Sequence, residues 1–283
     1  MDTAKIARTI TGDKLYQERA RAALPILVRQ AHAHSRLCYS DLATELNMPN
    51  PRNLNRVLGS VGLTLKELSK VWQEDVPPIQ CLVINRNTKL PGEGIGKFIT
   101  DRDDFRKLSR KQQRLLVDAE QVRIFTYQRW QEVLKALSLK PVVKDYSHLL
   151  SKIREFQGGG ESEQHRELKN FVALHPEILD LSKKTHGEVE YSLPSGDSLD
   201  VFFRQGDAWV GAEVKSEISD QQDIVRGLFQ CVKYRAVIEA LQAVSTAPQN
   251  ARAVLVLGGS LPRNLVDVKN ILGVEVIENI TPK

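Results

Sequence analysis

Asp200 stands inside the apolar run Ser198-Leu-Asp-Val-Phe-Phe203, and Glu213 and Lys215 stand inside Ala208-Trp-Val-Gly-Ala-Glu-Val-Lys215. Both runs read as strands. Strand side chains alternate between faces, so Glu213 and Lys215, which flank Val214, point the same way. A carboxylate in an apolar strand is costly to bury unless it is paired or holds a cation. Two strands that bring Asp, Glu and Lys to one place could hold a hard divalent cation, Mg²⁺ or Mn²⁺, through oxygen ligands. Such a cation activates a water, with Asp200 and Glu213 as ligands, while Lys215 orients that water or helps to deprotonate it. The plainer reading of Glu213-Val214-Lys215 alone is a structural Lys–Glu pair on a half-exposed sheet face.

The elements that must position these residues follow in order. From Glu161 the pattern reads helix, three strands, long helix, strand, helix, strand. The first helix, about Glu161 to Leu174, turns Leu168, Phe171, Val172 and Leu174 to an apolar side. At ~100° per residue, Glu161 lies about 20° from Leu168 and His165 about 60° from it. Glu161 and His165 are therefore its inward polar residues. The three strands read as 188–193, 198–203 and 208–215. In the long helix, Gln230 and Tyr234 are an i, i+4 pair on one face.

Asp200 followed by Glu213-Val214-Lys215, in this order of elements, resembles the signature of the PD-(D/E)xK nuclease superfamily and its αβββαβ core. Gln230-Cys-Val-Lys-Tyr234 is similar to the Gln-x-x-x-Tyr motif of the RecB-like members. Leu199, where that signature has proline, is a departure. The resemblance covers about residues 158–283 and implies a restriction-endonuclease-like domain that hydrolyses phosphodiester bonds. It implies Asp200, Glu213 and Glu161 as metal ligands, Lys215 as the water-orienting group, and Gln230 and Tyr234 as residues that contact the substrate strand or steady the lysine. Gly160 followed by His165 matches the RecB-like branch, whereas other branches use a Glu at the place of Glu161; the choice between the two stays open.

The first half reads as mainly helical. Leu24, Ile26, Leu27, Val28 and Ala31 suggest a helix that starts or kinks at Pro25. Ser40 can cap a short helix bearing Leu42, Ala43 and Leu46. After the turn Met48-Pro-Asn-Pro51, a second helix has Leu54, Val57 and Leu58 inside and Arg52, Asn53, Asn55 and Arg56 outside, with Gly59 and Gly62 ending it. This is a helix–turn–helix pattern, whose second helix would present Arg52, Asn55 and Arg56 to a major groove. A third helix covers 65–72, and the β-rich run Ile79–Ile84 with the turns after it reads as a wing. The stretch from about residue 25 to 98 is similar to the winged-helix region of alkylguanine-DNA methyltransferases. Their Pro-Cys-His-Arg segment is absent, so Cys81 reads as a buried strand residue and only the DNA-docking shape is implied. Amphipathic helices over 105–150 carry a basic face with Arg106, Lys107, Arg110, Lys111 and Arg114. Those residues suit phosphates or plain solvent.

Charge separates the halves. Residues 1–160 carry 27 Lys and Arg against 17 Asp and Glu, a net of +10, while 161–283 carry 13 against 18, a net of −5. A basic half suits a polyanion, most simply duplex DNA. Gly158-Gly-Gly160 ends a polar stretch, which gives a helical domain at 1–150, a linker at 151–160 and a nuclease-like domain at 161–283. The expected class is α+β. No run approaches the roughly 20 apolar residues of a membrane span, and the N-terminal stretch has no signal-peptide core. Three scattered cysteines, Cys38, Cys81 and Cys231, make neither a disulfide framework nor a zinc site. A cytoplasmic Mg²⁺- or Mn²⁺-dependent DNA endonuclease is the favoured expectation, with restriction, defence or repair as its setting and a homodimer or a defence-system partner by analogy. A DNA-binding regulator with an inactive nuclease-like domain is the alternative. An RNA-directed nuclease is disfavoured by the 6% aromatic content, which offers few stacking platforms.

Overall fold

A computed structural model describes residues 7–100, 102–147, 149, 162–245 and 250–282. Glu161 and the expected linker at 151–160 lie outside the described residues. The chain is α+β, with a helical N-terminal region followed by a mixed five-stranded sheet packed with helices. It divides into two compact units, Met1–Lys144 and Asp145–Lys283. Among the described residues no helix is long and apolar enough to cross a membrane.

In the first unit, α1 (Leu15–His32) runs straight past Pro25 instead of starting there. Its buried stripe, Ala20, Ala23, Leu24, Leu27, Val28 and Ala31, lies on both sides of the proline and packs chiefly on α3 (Leu54–Trp72). Burial of that stripe outweighs the hydrogen bond that proline removes. Helix α2 (Tyr39–Glu45) takes Cys38 as its N-cap, so Ser40 lies inside it and does not cap it. Helix α3 does not end at Gly59 or Gly62; it continues to Trp72 and absorbs the separate helix expected from residue 65. Each glycine costs an interior helix about 1 kcal/mol, but Leu54, Val57, Leu58, Val61, Leu65 and Leu68 form one uninterrupted buried face. Gly62 has a packing reason as well, because a Cβ there would run into the Gln80 amide and the Phe98 ring.

The expected wing strand is a second correction. Residues Ile79–Leu82 wind into a 3-10 turn, and only β2 (Val83–Ile84) is extended. β2 pairs in parallel with β1 (Leu37–Cys38), which a hairpin wing cannot do. Ile79, Cys81 and Leu82 are fully buried, and Gln121 Nε2 donates to the Cys81 carbonyl at 3.0 Å. The apolar run is therefore spent on core contacts. Cys81 is buried as expected, but in a 3-10 turn and not in a strand, and burial pushes its thiol well up. Short helices α4 (Gly96–Ile99) and α5 (Arg102–Lys107), then α6 (Arg110–Thr126) and α7 (Trp130–Ala136), complete the unit. Ser109 and Gln112 cap α6 reciprocally.

The second unit runs α8 (Glu163–Leu174), β3 (Gly187–Ser192), β4 (Ser198–Gln205), β5 (Ala208–Lys215), α9 (Gln221–Val244), β6 (Ala251–Leu257), α10 (Val266–Leu272) and β7 (Glu275–Ile277). The sheet order is β3-β4-β5-β6-β7; β3, β4 and β5 are antiparallel, and β5, β6 and β7 are parallel. Alternation builds two cores. Val201, Phe203, Ala212, Val214, Val254 and Val256 meet Leu168 and Val172 of α8. Leu255 and Leu257 meet Val225, Leu228 and Cys231 of α9. Central strands covered on both faces read as nearly continuous apolar runs, which is why the polar residues inside them stand out. Tyr146 belongs to this unit, its hydroxyl donating to Asp267 Oδ2 at 3.1 Å.

The Gly62 packing has a measurable consequence. A helix-interior Gly→Ala change ordinarily stabilises by about 1 kcal/mol, but Gly62→Ala should destabilise by about 1–3 kcal/mol through overpacking. The denaturation midpoint checks this, and a rise in midpoint would contradict the close approach.

Candidate active site

The site forms where the sheet departs from regularity. β4 pairs with β5 from Val201↔Ala212 to Gln205↔Ala208. On its other edge β4 pairs Val189↔Val201 and Tyr191↔Leu199, stepping over Glu190 and Asp200. Leu199 and Phe202 both pack on Tyr234 and Ile238 of α9, whereas Val201 and Phe203 face α8. Strict alternation would have put Leu199 with Val201, so the pleat breaks at Asp200. At the break the Asp200 carboxylate takes a bond that the ladder would have made. Its Oδ2 accepts from the Val214 N–H at 2.7 Å, and its Oδ1 lies 3.4 Å from Nε2 of His165 on α8.

Glu213 and Lys215 turn to the α9 side of β5, as alternation predicts. Both are buried, at 4% and 6% exposure. Lys215 Nζ donates to Glu213 Oε1 at 2.8 Å and lies 3.4 Å from Asp223 Oδ1 in the first turn of α9. Helix α9 reaches them because residue 227 is glycine. A Cβ there would lie 3.2 Å from Lys215 Cε, 3.6 Å from Glu213 Cγ and 2.8 Å from a Leu255 methyl.

Electrostatics follow from this crowding. Burial and the nearby Asp200 charge push the Glu213 carboxyl up to about 7, against the pull of Lys215. Burial also opposes ionisation of Asp200, but the His165 and Val214 hydrogen bonds outweigh it and hold that carboxyl below its usual range. The Asp200 hydrogen bond raises the His165 imidazole. Burial opposes the charge on Lys215, yet the Glu213 carboxylate more than offsets it, so the ammonium stays protonated at neutral pH. Two carboxylates whose charges oppose each other, one of them poorly neutralised, are oxygen donors of the kind that a hard divalent cation takes. Asp200 and Glu213 could hold one, with its other positions taken by water and substrate oxygens. Among the described residues no group of three or more His, Cys, Asp and Glu gathers as a ready metal cluster.

The structure thus brings His165 to Asp200 and Lys215 to Glu213, and the charge of Asp200 acts on Glu213 between the two pairs. Gln230 and Tyr234 lie on α9, with Gln230 Nε2 donating to the Tyr234 hydroxyl at 3.1 Å and that hydroxyl donating to the Ser198 carbonyl at 3.2 Å. Tyr234 is buried, so its contact is with the start of β4, two residues from Asp200. Gln230 Oε1 is buried without a hydrogen-bond partner. Lys233 is paired with Asp197 at 2.7 Å, and Arg235 donates to the Gly273 carbonyl at 3.3 Å. In the first unit Arg52 lies in the 3-10 turn before α3, Asn55 and Arg56 lie in its first turn, and all three are exposed. Arg106 is bound to Glu93 at 2.5 Å and Lys107 to Asp104 at 3.0 Å, while Arg110, Lys111 and Arg114 are exposed on α6. No protein-family model, curated protein or solved structure matches the chain.

Sequence reasoning missed Asp223, Gly227 and Lys169. Asp223 follows the N-cap Asp220 and looks like any acid in a first turn. Gly227 carries no chemistry and is explained only by what it lies against. Lys169 was readable, being one turn beyond His165 and about 40° around the helix from it.

A pH dependence follows for the metal-free protein. The folded Glu213 carboxyl titrates near 7, above its unfolded range, so its contribution is fully present below about pH 4.5 and lost as pH rises through 7. The lowered Asp200 acts in the opposite sense and only at acid pH. Melting temperature should therefore fall between pH 5.5 and pH 8, and millimolar Mg²⁺ or Mn²⁺ should recover it at pH 8 more than at pH 5.5. A melting temperature indifferent to both would count against the crowded-carboxylate reading.

Proposed function

We propose that the chain is a divalent-metal-dependent nuclease that hydrolyses phosphodiester bonds in DNA. The observation that carries this is the convergence of Asp200, Glu213 and Lys215 from two adjacent strands, with Glu213 and Lys215 buried, Asp200 half-buried, and the Asp200 charge opposing ionisation of Glu213. A purely structural Lys–Glu pair does not require Asp200 to leave the ladder next to it. The order αβββαβ around that point supports a restriction-endonuclease-like fold for the second unit.

The chain's own groups divide the work. Asp200 and Glu213 would hold the cation, Asp200 fixed by the Val214 N–H and Glu213 by Lys215. A bound Mg²⁺ or Mn²⁺ would supply Lewis acidity at the phosphate and a water activated at neutral pH. Lys215 stays protonated, so it suits orienting the water and stabilising charge on the phosphate better than removing a proton. His165 hydrogen-bonds to Asp200 and orients it from α8; Glu161 stays the further ligand implied by the superfamily resemblance. Gln230 stays the strand-contacting or lysine-steadying residue that the superfamily resemblance implies, its Nε2 donating to Tyr234, which braces β4.

For the first unit we propose DNA docking through α2 and α3 in the manner of a helix–turn–helix. Arg52, Asn55 and Arg56 form its exposed polar strip and the excess positive charge supplies phosphate contacts. The parallel β1–β2 pair takes the place of a hairpin wing. A cytoplasmic role in restriction, defence or repair, with a second copy or a defence-system partner, rests on analogy to other nucleases.

Cleavage of plasmid, linear duplex and single-stranded DNA with Mg²⁺, Mn²⁺ or EDTA tests the proposal. Lys215→Ala should lower the cleavage rate by roughly 10²–10³-fold and leave duplex affinity nearly unchanged. A wild-type protein that binds duplex DNA but cuts nothing with either metal is instead a DNA-binding regulator with an inactive nuclease-like domain.

A further inference from the structure

A second charged pair lies beside the site on the α8 side. Lys169 stands one helical turn beyond His165, and its side chain is only 4% exposed. Its Nζ donates to Glu190 Oε1 at 2.8 Å. The Glu190 side chain is 65% exposed, so this bond runs from the interior outward, and the carboxylate is the solvent-side partner. Glu190 occupies the place on β3 across from Asp200, between the pairs Val189↔Val201 and Tyr191↔Leu199. Its φ of 55° lies in the left-handed region, a conformation that costs a non-glycine residue roughly 1–2 kcal/mol. The same irregularity that frees Asp200 from the ladder thus turns a glutamate onto a buried lysine. The charge of that lysine reaches the site, where it opposes protonation of His165.

Stability is a poor reason for such a pair. Burying an ammonium is costly, and a partner that remains in water returns little. A phosphodiester entering the site meets Asp200, Glu213 and Asp223, while Lys215 is engaged by Glu213 and Asp223. Positive charge is needed on the opposite flank, and Lys169 supplies a buried cation there. The geometry points to Lys169 as a phosphate-binding residue of the candidate site, with Glu190 as a built-in anion that a DNA phosphate displaces. This inference rests on the nuclease reading for its substrate. The exposed glutamate swings into water without leaving a buried charge behind, and the phosphate oxygens take over the acceptor role at Nζ. Held this way, the ammonium is kept in place between substrates.

The experiment measures affinity for a duplex oligonucleotide by fluorescence anisotropy, with Mg²⁺, across a range of salt concentrations. The full chain is used in the non-cleaving Lys215→Ala background, with cleavage by otherwise wild-type protein followed in parallel. Lys169→Met should weaken binding on the order of tenfold, as for a lost hydrogen bond between charged groups. It should also make the slope of log K against log salt shallower by roughly 0.9, one phosphate contact. Glu190→Gln keeps an acceptor for the ammonium but removes the competing charge, so it should tighten binding. That gain should vanish when Lys169→Met is also present, because it acts through the lysine. A merely structural pair predicts lower denaturation midpoints for both variants with no change in slope, and that result overturns the inference. If Lys169→Met does not fold, Glu190→Gln decides alone: unchanged or weaker binding refutes it. Wild-type cleavage with unmoved variant affinities sinks the phosphate site and spares the nuclease reading. Variant affinities that move as expected without wild-type cleavage sink the nuclease reading and spare the phosphate site. A chain that binds no duplex loses the phosphate site, and it loses the nuclease reading too when it cuts no DNA of any form.

Discussion

The second unit is organised around one constraint, the need to hold two carboxylates that feel each other's charge within an otherwise apolar sheet. Asp200 and Glu213 are close enough that the charge of one raises the other, and helices pack on both faces of the strands that carry them. Several features that look separate answer to this. The pleat breaks at Asp200 so that its oxygen can take the Val214 N–H. Lys215 sits two residues from Glu213, the one spacing along a strand that returns a side chain to the same face next door. Asp223 then steadies the lysine from the first turn of α9. A protein built only for stability would replace such a group with leucine and valine. Its presence says that the sheet trades stability for a charged site.

The helices show how tightly that site is bounded. α9 approaches β5 closely enough that residue 227 has no room for a Cβ beside Glu213, Lys215 and Leu255. Close approach keeps water from the α9 side and strengthens every interaction there, both the Lys215–Glu213 bond and the repulsion between carboxylates. α8 leaves a different boundary, with His165 only half-buried against Asp200 and Lys169 covered by an exposed glutamate. The two flanks therefore differ: α9 is closed over Glu213 and Lys215 at Gly227, whereas the α8 flank carries the half-buried His165 and the exposed Glu190.

Legibility in the sequence differed between the units for physical reasons. Strands β4 and β5 were readable because burial on both faces makes every polar residue an exception, and Asp200, Glu213 and Lys215 were the exceptions. The helix and strand order of the second unit was readable for the same reason. In the first unit the local signals were overruled by packing. Gly59 and Gly62 look like stops, yet a continuous stripe from Leu54 to Leu68 carries α3 through both. Ile79–Ile84 looks like a strand by composition, but its side chains are consumed by the core and its partner β1 is only two residues long. Pro25 looks like a boundary and is buried inside α1. What remained invisible was anything defined by contact across elements: the glycine under α9, the acid that shares Lys215, and the ion pair joining α8 to β3.

The charge division gains meaning from these contacts. A net of −5 over 161–283 would repel a phosphate backbone if it were spread over the surface. Part of it is internal: Glu213 is buried, Asp200 half-buried, and Asp223 faces Lys215. Internal carboxylates of this kind define a demand for cations that lysine only partly meets, and a divalent ion would meet the remainder. With that ion bound, the negative field that would oppose a phosphate becomes the scaffold that holds its counter-charge. On the proposed nuclease reading, the same acidic residues would repel DNA when metal is absent and accept it when metal is present, so DNA binding and metal binding by the second unit would be linked through the same two side chains.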